Sequence, residues 1–185
     1  MNIHGRKILM RAPELRDAAL LHQWANDPEI WKQLGGWHFP YSSISTEKWI
    51  YSLSNSVSDQ VFCIDTFDGQ LLGTANLVDI DWKNRNAFHG VMLGKVDIRG
   101  KGFGLDAVMS IMRYAFDELG LMRLDSDMIE TNIRSINFYV KSCGWEIEGR
   151  KKQWFYRSGQ YYDKVLVGIT REKYHLFVDE INYWG

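Results

Sequence analysis

The stretch VMLGKVDIRGKGFGLDAVMSIMRYAFDELG, Val91 to Gly120, decides how the rest of the chain is read. An apolar run ends at Leu93. Gly100, Gly102 and Gly104 then alternate. Beyond them Ala107, Ile111, Tyr114 and Ala115 recur at helical spacing, and Gly120 stops the run. A strand, a glycine-rich turn and a helix in that order suit an anion. Successive backbone N–H groups form a concave nest backed by the helix N-terminus, and glycine lets the backbone approach a pyrophosphate with no Cβ in the way.

Upstream of this stretch, KILMRAP reads as a strand stopped by Pro13, Asp17 to Asn26 as an amphipathic helix, GGWHFPYSSIS as an irregular loop and Thr46 to Ser54 as a short helix. QVFCID, LLGTANLVDI and AFHGVML then predict an antiparallel meander with turns at Asp68-Gly69 and DWKNRN. Downstream, MRLDSDM is a strand and Asn132 caps a helix reaching about Cys143. WEIEGRKKQWFY and YYDKVLVGIT form a hairpin around Ser158-Gly159, and a last amphipathic segment carries Tyr174, Phe177, Val178 and Ile181. Antiparallel strands followed by one β-α-β crossover predict an α/β fold: a single domain with a mixed, mostly antiparallel sheet and helices on both faces.

Bulk properties narrow the function. The 185 residues suit one domain, and 45% apolar with 24% charged residues is ordinary for a globular protein. A net charge of −1 gives no pull toward nucleic acid or anionic membrane. No apolar run reaches membrane-spanning length, and MNIHGRKILMRAPELRD lacks the apolar region of a signal peptide. Cys63 and Cys143 form no disulfide framework, which suits a reducing, cytoplasmic setting. The eight tryptophans, among them Trp24, Trp31, Trp37 and Trp49, serve either core packing or an aromatic pocket for a small ligand.

Several anions fit the glycines at first sight. Gly102, Gly104 and Ala107 match the dinucleotide pattern G-x-G-x-x-G/A, and Asp125 or Asp127 lies about where a ribose-binding acid belongs. The context is wrong for it, because GKVDIR separates the strand from the glycines and the preceding strands are antiparallel. Without G-K-S/T there is no P-loop. The remaining readings are a pyrophosphate held on the turn, supported by the positive charge of Arg99 and Lys101, and a tight turn that holds nothing.

Arg99-Gly100-Lys101-Gly102-Phe103-Gly104 fits [RQ]-x-x-G-x-[GA], and here the chain resembles the GNAT superfamily of N-acetyltransferases. Element order extends the likeness from about Lys7 to Tyr174. RAPELRDAALLHQWANDPEI and GWEIEGRKKQWFYRSGQYYDKVLVGITREKY are most similar to the ribosomal-protein and spermidine N-acetyltransferase branch. The resemblance implies one acetyltransferase domain and acetyl-CoA as cosubstrate. It puts the pantetheine arm between two splayed parallel strands, AFHGVML and MRLDSDM, and the pyrophosphate on the glycine turn. Met92, Leu93, Arg99, Gly100, Lys101, Gly102, Phe103, Gly104 and Asn132 are the implied cofactor contacts.

Acetyl transfer to an amine needs a neutral nucleophile, a proton donor for the departing thiolate and a hydrogen bond for the thioester oxygen. A lysine-like amine, with pKa about 10.4, is neutral at pH 7 only at a cost of about 4–5 kcal/mol. Asn132 to Tyr139 matches the family's N-x-x-A-x-x-x-Y except for a serine, so the resemblance makes Tyr139 the acid. One residue more than the usual Y-x-x-x-G-[FW] separates Tyr139 from Gly144, which calls for a bulge or a longer final turn. His89 stands ten residues before Arg99, where many family members carry a glutamate facing the acceptor. It is the candidate base, with a strand histidine held by hydrogen bonds as the alternative.

Trp31, Trp37, Phe39 and Tyr41 are candidates for the acceptor side, and Asp79 and Asp81 are weaker candidates than His89 for the base, or hold a cationic acceptor. The run Arg150-Lys151-Lys152 with Arg157 reads as a solvated hairpin face. His4, His22, His38 and His175 have no metal-ligand spacing, so no metal is expected. The acceptor is a small-molecule amine, such as a polyamine or amino-sugar, or a protein N-terminus. A homodimer is left open. A non-catalytic acyl-CoA-binding module of the same fold is the competing reading.

Overall fold

The strands alternate small or polar with large apolar residues, so each can pack on both faces. The computed structural model describes residues 2–36, 39–94 and 100–185. Its strands are β1 (Ile3–His4), β2 (Ile8–Arg11), β3 (Gln60–Thr66), β4 (Leu71–Asp81), β5 (Asn86–Leu93), β6 (Arg123–Ile129), β7 (Glu146–Arg157) and β8 (Gln160–Thr170). They form one eight-stranded sheet in the order β1-β2-β3-β4-β5-β6-β8-β7. Every neighbouring pair is antiparallel except β5 and β6.

The helices are α1 (Ala18–Ala25), α2 (Pro28–Trp31), α3 (Ser43–Leu53), α4 (Phe103–Arg113), α5 (Ile133–Asn137) and α6 (Arg171–Ile181). They divide between the two faces as the sequence predicts. The larger core joins Ile8, Ile64, Leu72 and Leu124 to Ala107, Ile111 and Phe116 of the α4 segment and to Ile136 and Tyr174 of α5 and α6. The smaller core, on the other face, joins Cys63 and Leu71 to Leu21 and Trp24 of α1, Ile30 of α2 and Ile50 of α3. The short helix α2 is absent from the sequence reading. Asp27 starts it by accepting the Glu29 N–H, and Pro28 takes its first position.

Both long helices after the sheet change pitch at their ends. Helix α4 runs on as a π-helical turn, Tyr114–Glu118, and α5 as another, Phe138–Ser142. A π turn takes up one more residue than an α turn. It therefore absorbs the additional residue between Tyr139 and Gly144 and leaves both flanks in place, the bulge the spacing calls for. Gly144 lies in left-handed backbone with φ +77, and the Trp145 N–H returns to the Tyr139 carbonyl at 3.1 Å.

Candidate active site

Strands β5 and β6 pair only at Asn86↔Arg123, Ala87↔Leu124 and Phe88↔Asp125. Past that register they part, while β5 stays bonded to β4 and β6 to β8. Backbone N–H and C=O groups on the inner edges of residues 89–93 and 126–129 are left without a ladder partner. A V-shaped cleft results, lined by polar backbone on both sides.

Two cavities occupy it. The larger, about 750 Å³, runs along Val91, Met92 and Leu93 to Gly100, Gly102, Phe103 and Gly104, with Asn132, Ser135 and Phe138 opposite. Gly100 and Gly102 hold φ +79 and +86, the left-handed region that glycine tolerates. Gly102 caps α4, so the turn aims that helix's free N–H groups into the cavity. Lys7 lies beneath it and donates from Nζ to the Lys101 carbonyl at 3.0 Å. A Cβ on Gly104 would stand 3.3 Å from Leu93 Cδ1. Met92, Leu93, Phe103 and Gly104 all line this cavity. Lys101 lines neither cavity, and Arg99 lies outside the described residues.

The smaller cavity, about 390 Å³, joins the first at Gln33, Leu34, Val91, Met92, Asn132 and Ser135. Tyr139 lines it, 3% exposed, its ring packed edge-on against Trp145 at 5.0 Å. Burial raises the Tyr139 phenol well above its usual range, with Cys143 adding to the rise and a hydrogen bond with Ser126 opposing it. The hydroxyl therefore stays protonated and can donate. Asn132 accepts the Ser135 N–H at 3.1 Å as a helix cap, and its amide donates across the cleft to the Gln33 carbonyl at 3.3 Å.

The structure moves His89 away from the role expected of it. The side chain lies on the face of β5 that carries Ala87, Val91 and Leu93, turned into the larger core, and is wholly buried. Its Nδ1 bonds the Asn76 carbonyl at 2.9 Å, which fixes the proton on Nδ1. Nε2 is a buried acceptor with no partner among the described residues. Burial lowers the pKa to about 4, and the Asn76 bond only partly offsets it. A group so weakly basic, and closed off from both cavities, does not serve as the base at neutral pH. Alternation puts His89 with Ala87 on the core side of β5, where the strand is still paired to β6 up to Phe88, while Val91 and Leu93 on that same side reach a cavity only further along, where the strands have parted.

Where the structure describes them, the candidates for the acceptor side lie away from the two cavities. Phe39 and Asp79 are exposed, and neither they nor Tyr41 and Trp31 line a cavity. Asp79 instead sits at a bulge with φ 52, its N–H bonded to Asp59. Trp37 lies outside the described residues. Trp31 stands one layer back. The Arg157 guanidinium stacks over Trp31 at 5.4 Å and Phe155 at 5.7 Å and donates to the Leu34 and Gly35 carbonyls. Arg157 is thus no solvated residue; it ties the β7-β8 hairpin to the loop after α2.

The wall of the smaller cavity includes Asp127 and four residues that the sequence reading passes over, Phe88, Trp154, Phe155 and Lys164. Asp127 was legible only as one of two possible ribose-binding acids in the dinucleotide reading that the context excludes. Trp154 and Phe155 gave no signal, because a bulge aims them. Register jumps from Lys151↔Lys164 to Phe155↔Tyr162, so three residues of β7 oppose Asp163. Gln153 takes φ 50 there, and the Asp163 carboxylate holds it through the Gln153 N–H at 3.0 Å and the Lys152 ammonium at 2.7 Å.

Among the described residues no group of three or more His, Cys, Asp or Glu side chains could hold a metal ion, and no helix is long and apolar enough to cross a membrane. A mixed sheet with a splayed parallel pair and a glycine turn on the next helix defines an acyl-CoA N-acyltransferase architecture. A crystal structure of spermidine N-acetyltransferase from Vibrio cholerae in complex with CoA and spermine superposes with a TM-score of 0.84 at 23% identity, covering 91% of this chain and 98% of that one. The acetyltransferase (GNAT) domain matches residues 7–145, and the chain belongs to that family of N-acetyltransferases. Its relatives include the SPbeta prophage-derived N-acetyltransferase YokL of Bacillus subtilis, 26% identical over 93% of this chain and 94% of the relative. N-acetyltransferase p20 of Bacillus licheniformis is 25% identical over 93% of this chain and 97% of its own length.

Proposed function

We propose that this chain transfers the acetyl group of acetyl-CoA to the primary amine of a small molecule held in the smaller cavity. The observation that carries the reading is the junction of the two cavities at Val91, Met92, Asn132 and Ser135, with the glycine turn at one end and Tyr139 beyond the junction. The pyrophosphate lies on the Gly100–Gly104 turn, against the N-terminus of α4. The pantetheine amides bond the unpaired edge of β5 as a further strand would. The CoA and spermine bound by the Vibrio cholerae neighbour support both a CoA cleft and an amine acceptor in this architecture.

The amine, having lost a proton to water in the open cavity, attacks the thioester carbonyl. A β5 backbone N–H stabilises the charge growing on its oxygen. The new C–N bond forms, the C–S bond breaks, and the Tyr139 hydroxyl gives its proton to the leaving sulfur; the second proton, shed by the acylated nitrogen, returns through solvent to the Tyr139 oxygen and restores the phenol. With His89 buried, solvent is the final proton acceptor. The test is thiol release from acetyl-CoA over a panel of primary amines. Release with at least one amine, with the matching acetylated product, supports the reading. Tight acetyl-CoA binding with no turnover across the panel would replace it with the non-catalytic module.

A further inference from the structure

The charges in the acceptor cavity are balanced and specific. Apart from Tyr139, the ionisable groups on its described wall are Asp127 and Lys164. Lys164 Nζ meets Asp127 Oδ2 at 2.7 Å, and the two side chains are 15% and 17% exposed. The ammonium also lies 4.7 Å from the centre of the Trp154 ring and 5.5 Å from that of Phe155. One N–H of Lys164 is spent on Asp127, and the others point to no hydrogen-bond acceptor among the described residues. Asp127 Oδ1 likewise receives no hydrogen bond among the described residues. The pair is therefore half used on both sides, at the wall of a cavity where Phe88, Met92, Leu34 and the two hairpin aromatics stand among neutral polar side chains such as Asn76 and Ser126.

We propose that the acceptor is a zwitterionic amine of the amino-acid type, its ammonium on Asp127 and its carboxylate on Lys164. This rests on the acetyltransferase reading above and names its substrate class. Such a ligand supplies the donor that Asp127 lacks and the acceptor that Lys164 lacks, and it adds no net charge to a mostly buried site. A polyamine brings two or more cations to a wall whose one carboxylate is already shared with a lysine, so its second ammonium meets Lys164 as a like charge. The aromatic and aliphatic part of the lining, Phe88, Leu34, Trp154 and Phe155, suits an apolar side chain on the same ligand.

The experiment compares matched pairs that differ only by the carboxylate, phenylalanine with phenethylamine and leucine with 3-methylbutylamine, with spermidine as a third arm. At saturating acetyl-CoA, each amino acid should show kcat/KM about 10- to 100-fold above its decarboxylated partner, the worth of one charged hydrogen-bonded contact. Lys164→Met should erase that ratio through KM, and Lys164→Arg should restore most of it. A merely structural lysine would lower both members of a pair alike. Asp127→Asn combined with Lys164→Met removes both charges together, guards against an unpaired buried carboxylate unfolding the chain, and should also erase the ratio. Spermidine or a decarboxylated amine as the better substrate overturns the proposal and leaves the acetyltransferase reading standing. If no amine releases thiol, that reading falls by itself. Calorimetry of phenylalanine against the CoA-loaded protein then decides this one, with measurable binding lost in Lys164→Met supporting it and no binding overturning it.

Discussion

The rings of His89 and Tyr139 lie 5.9 Å apart, centroid to centroid, yet of the two only Tyr139 reaches the cleft. Trp145 closes the group, 5.9 Å from His89 and 5.0 Å from Tyr139. Tyr139 thus packs against a buried imidazole whose pKa, lowered to about 4 by burial, leaves it neutral at neutral pH. Each half of this arrangement has a measurable consequence.

Tyr139→Phe removes a hydroxyl and almost no volume, so the packing against Trp145 should persist. The turnover number should fall by roughly 10²–10⁴, with acetyl-CoA affinity nearly unchanged. Because burial raises the phenol's pKa, the wild-type rate should show no basic limb from Tyr139 in the ordinary working range. Near-normal turnover of the variant would remove Tyr139 from the mechanism.

His89 links stability to pH. It titrates at about 4 when folded and near 6.5 when unfolded. Between those values the unfolded chain binds more protons, so stability rises with pH across the window and is flat above it. Lowering the pH from 6.5 to 4 should cost about 3 kcal/mol from this group alone. Urea unfolding at pH 7 and pH 4.5 checks it. His89→Gln should flatten the difference, and an unchanged pH slope in that variant would assign the effect to other groups.

The glycine turn can be tested by position. Gly100 and Gly102 share the left-handed backbone, so an alanine at either should cost about 1 kcal/mol of stability. Their surroundings differ. A Cβ on Gly100 meets nothing within 4 Å, and one on Gly102 stands 3.1 Å from Lys7 Nζ. Gly102→Val should therefore weaken CoA binding at least about 10-fold by calorimetry, beyond the effect of Gly100→Ala. Equal affinities in folded variants would move the pyrophosphate off this turn.

Asp106 ties both chain ends to the helix that carries the turn. Its carboxylate, almost fully buried, accepts the N–H groups of Arg6, Lys7 and Ile8 and the Tyr183 hydroxyl, at 2.7–3.1 Å. Asp106→Asn turns an amide donor against those donors and should cost about 3 kcal/mol in a denaturant titration. Tyr183→Phe removes one of the four bonds and should cost about 1 kcal/mol. CoA affinity should drop in Asp106→Asn, because Lys7 would no longer be held under Lys101.

What the sequence determined by itself was local. The glycine turn, the meander, the cap at Asn132 and the additional residue before Gly144 are properties of neighbouring residues, so spacing and turn chemistry revealed them before any fold was known. Tyr139 was singled out by the match of Asn132 to Tyr139 to a family pattern, and its direction was left to the π turn that carries it. Tertiary structure decided the rest. The face to which His89 points depends on where β5 leaves β6, and one step of strand alternation separates an acceptor-facing group from a core group. Trp154 and Phe155 reach the cavity only because Asp163 holds a bulge in β7, and Lys164 meets Asp127 only because β8 lies beside β6. The acceptor wall is assembled from segments far apart in the chain, and no pattern of adjacent residues encodes a contact between them.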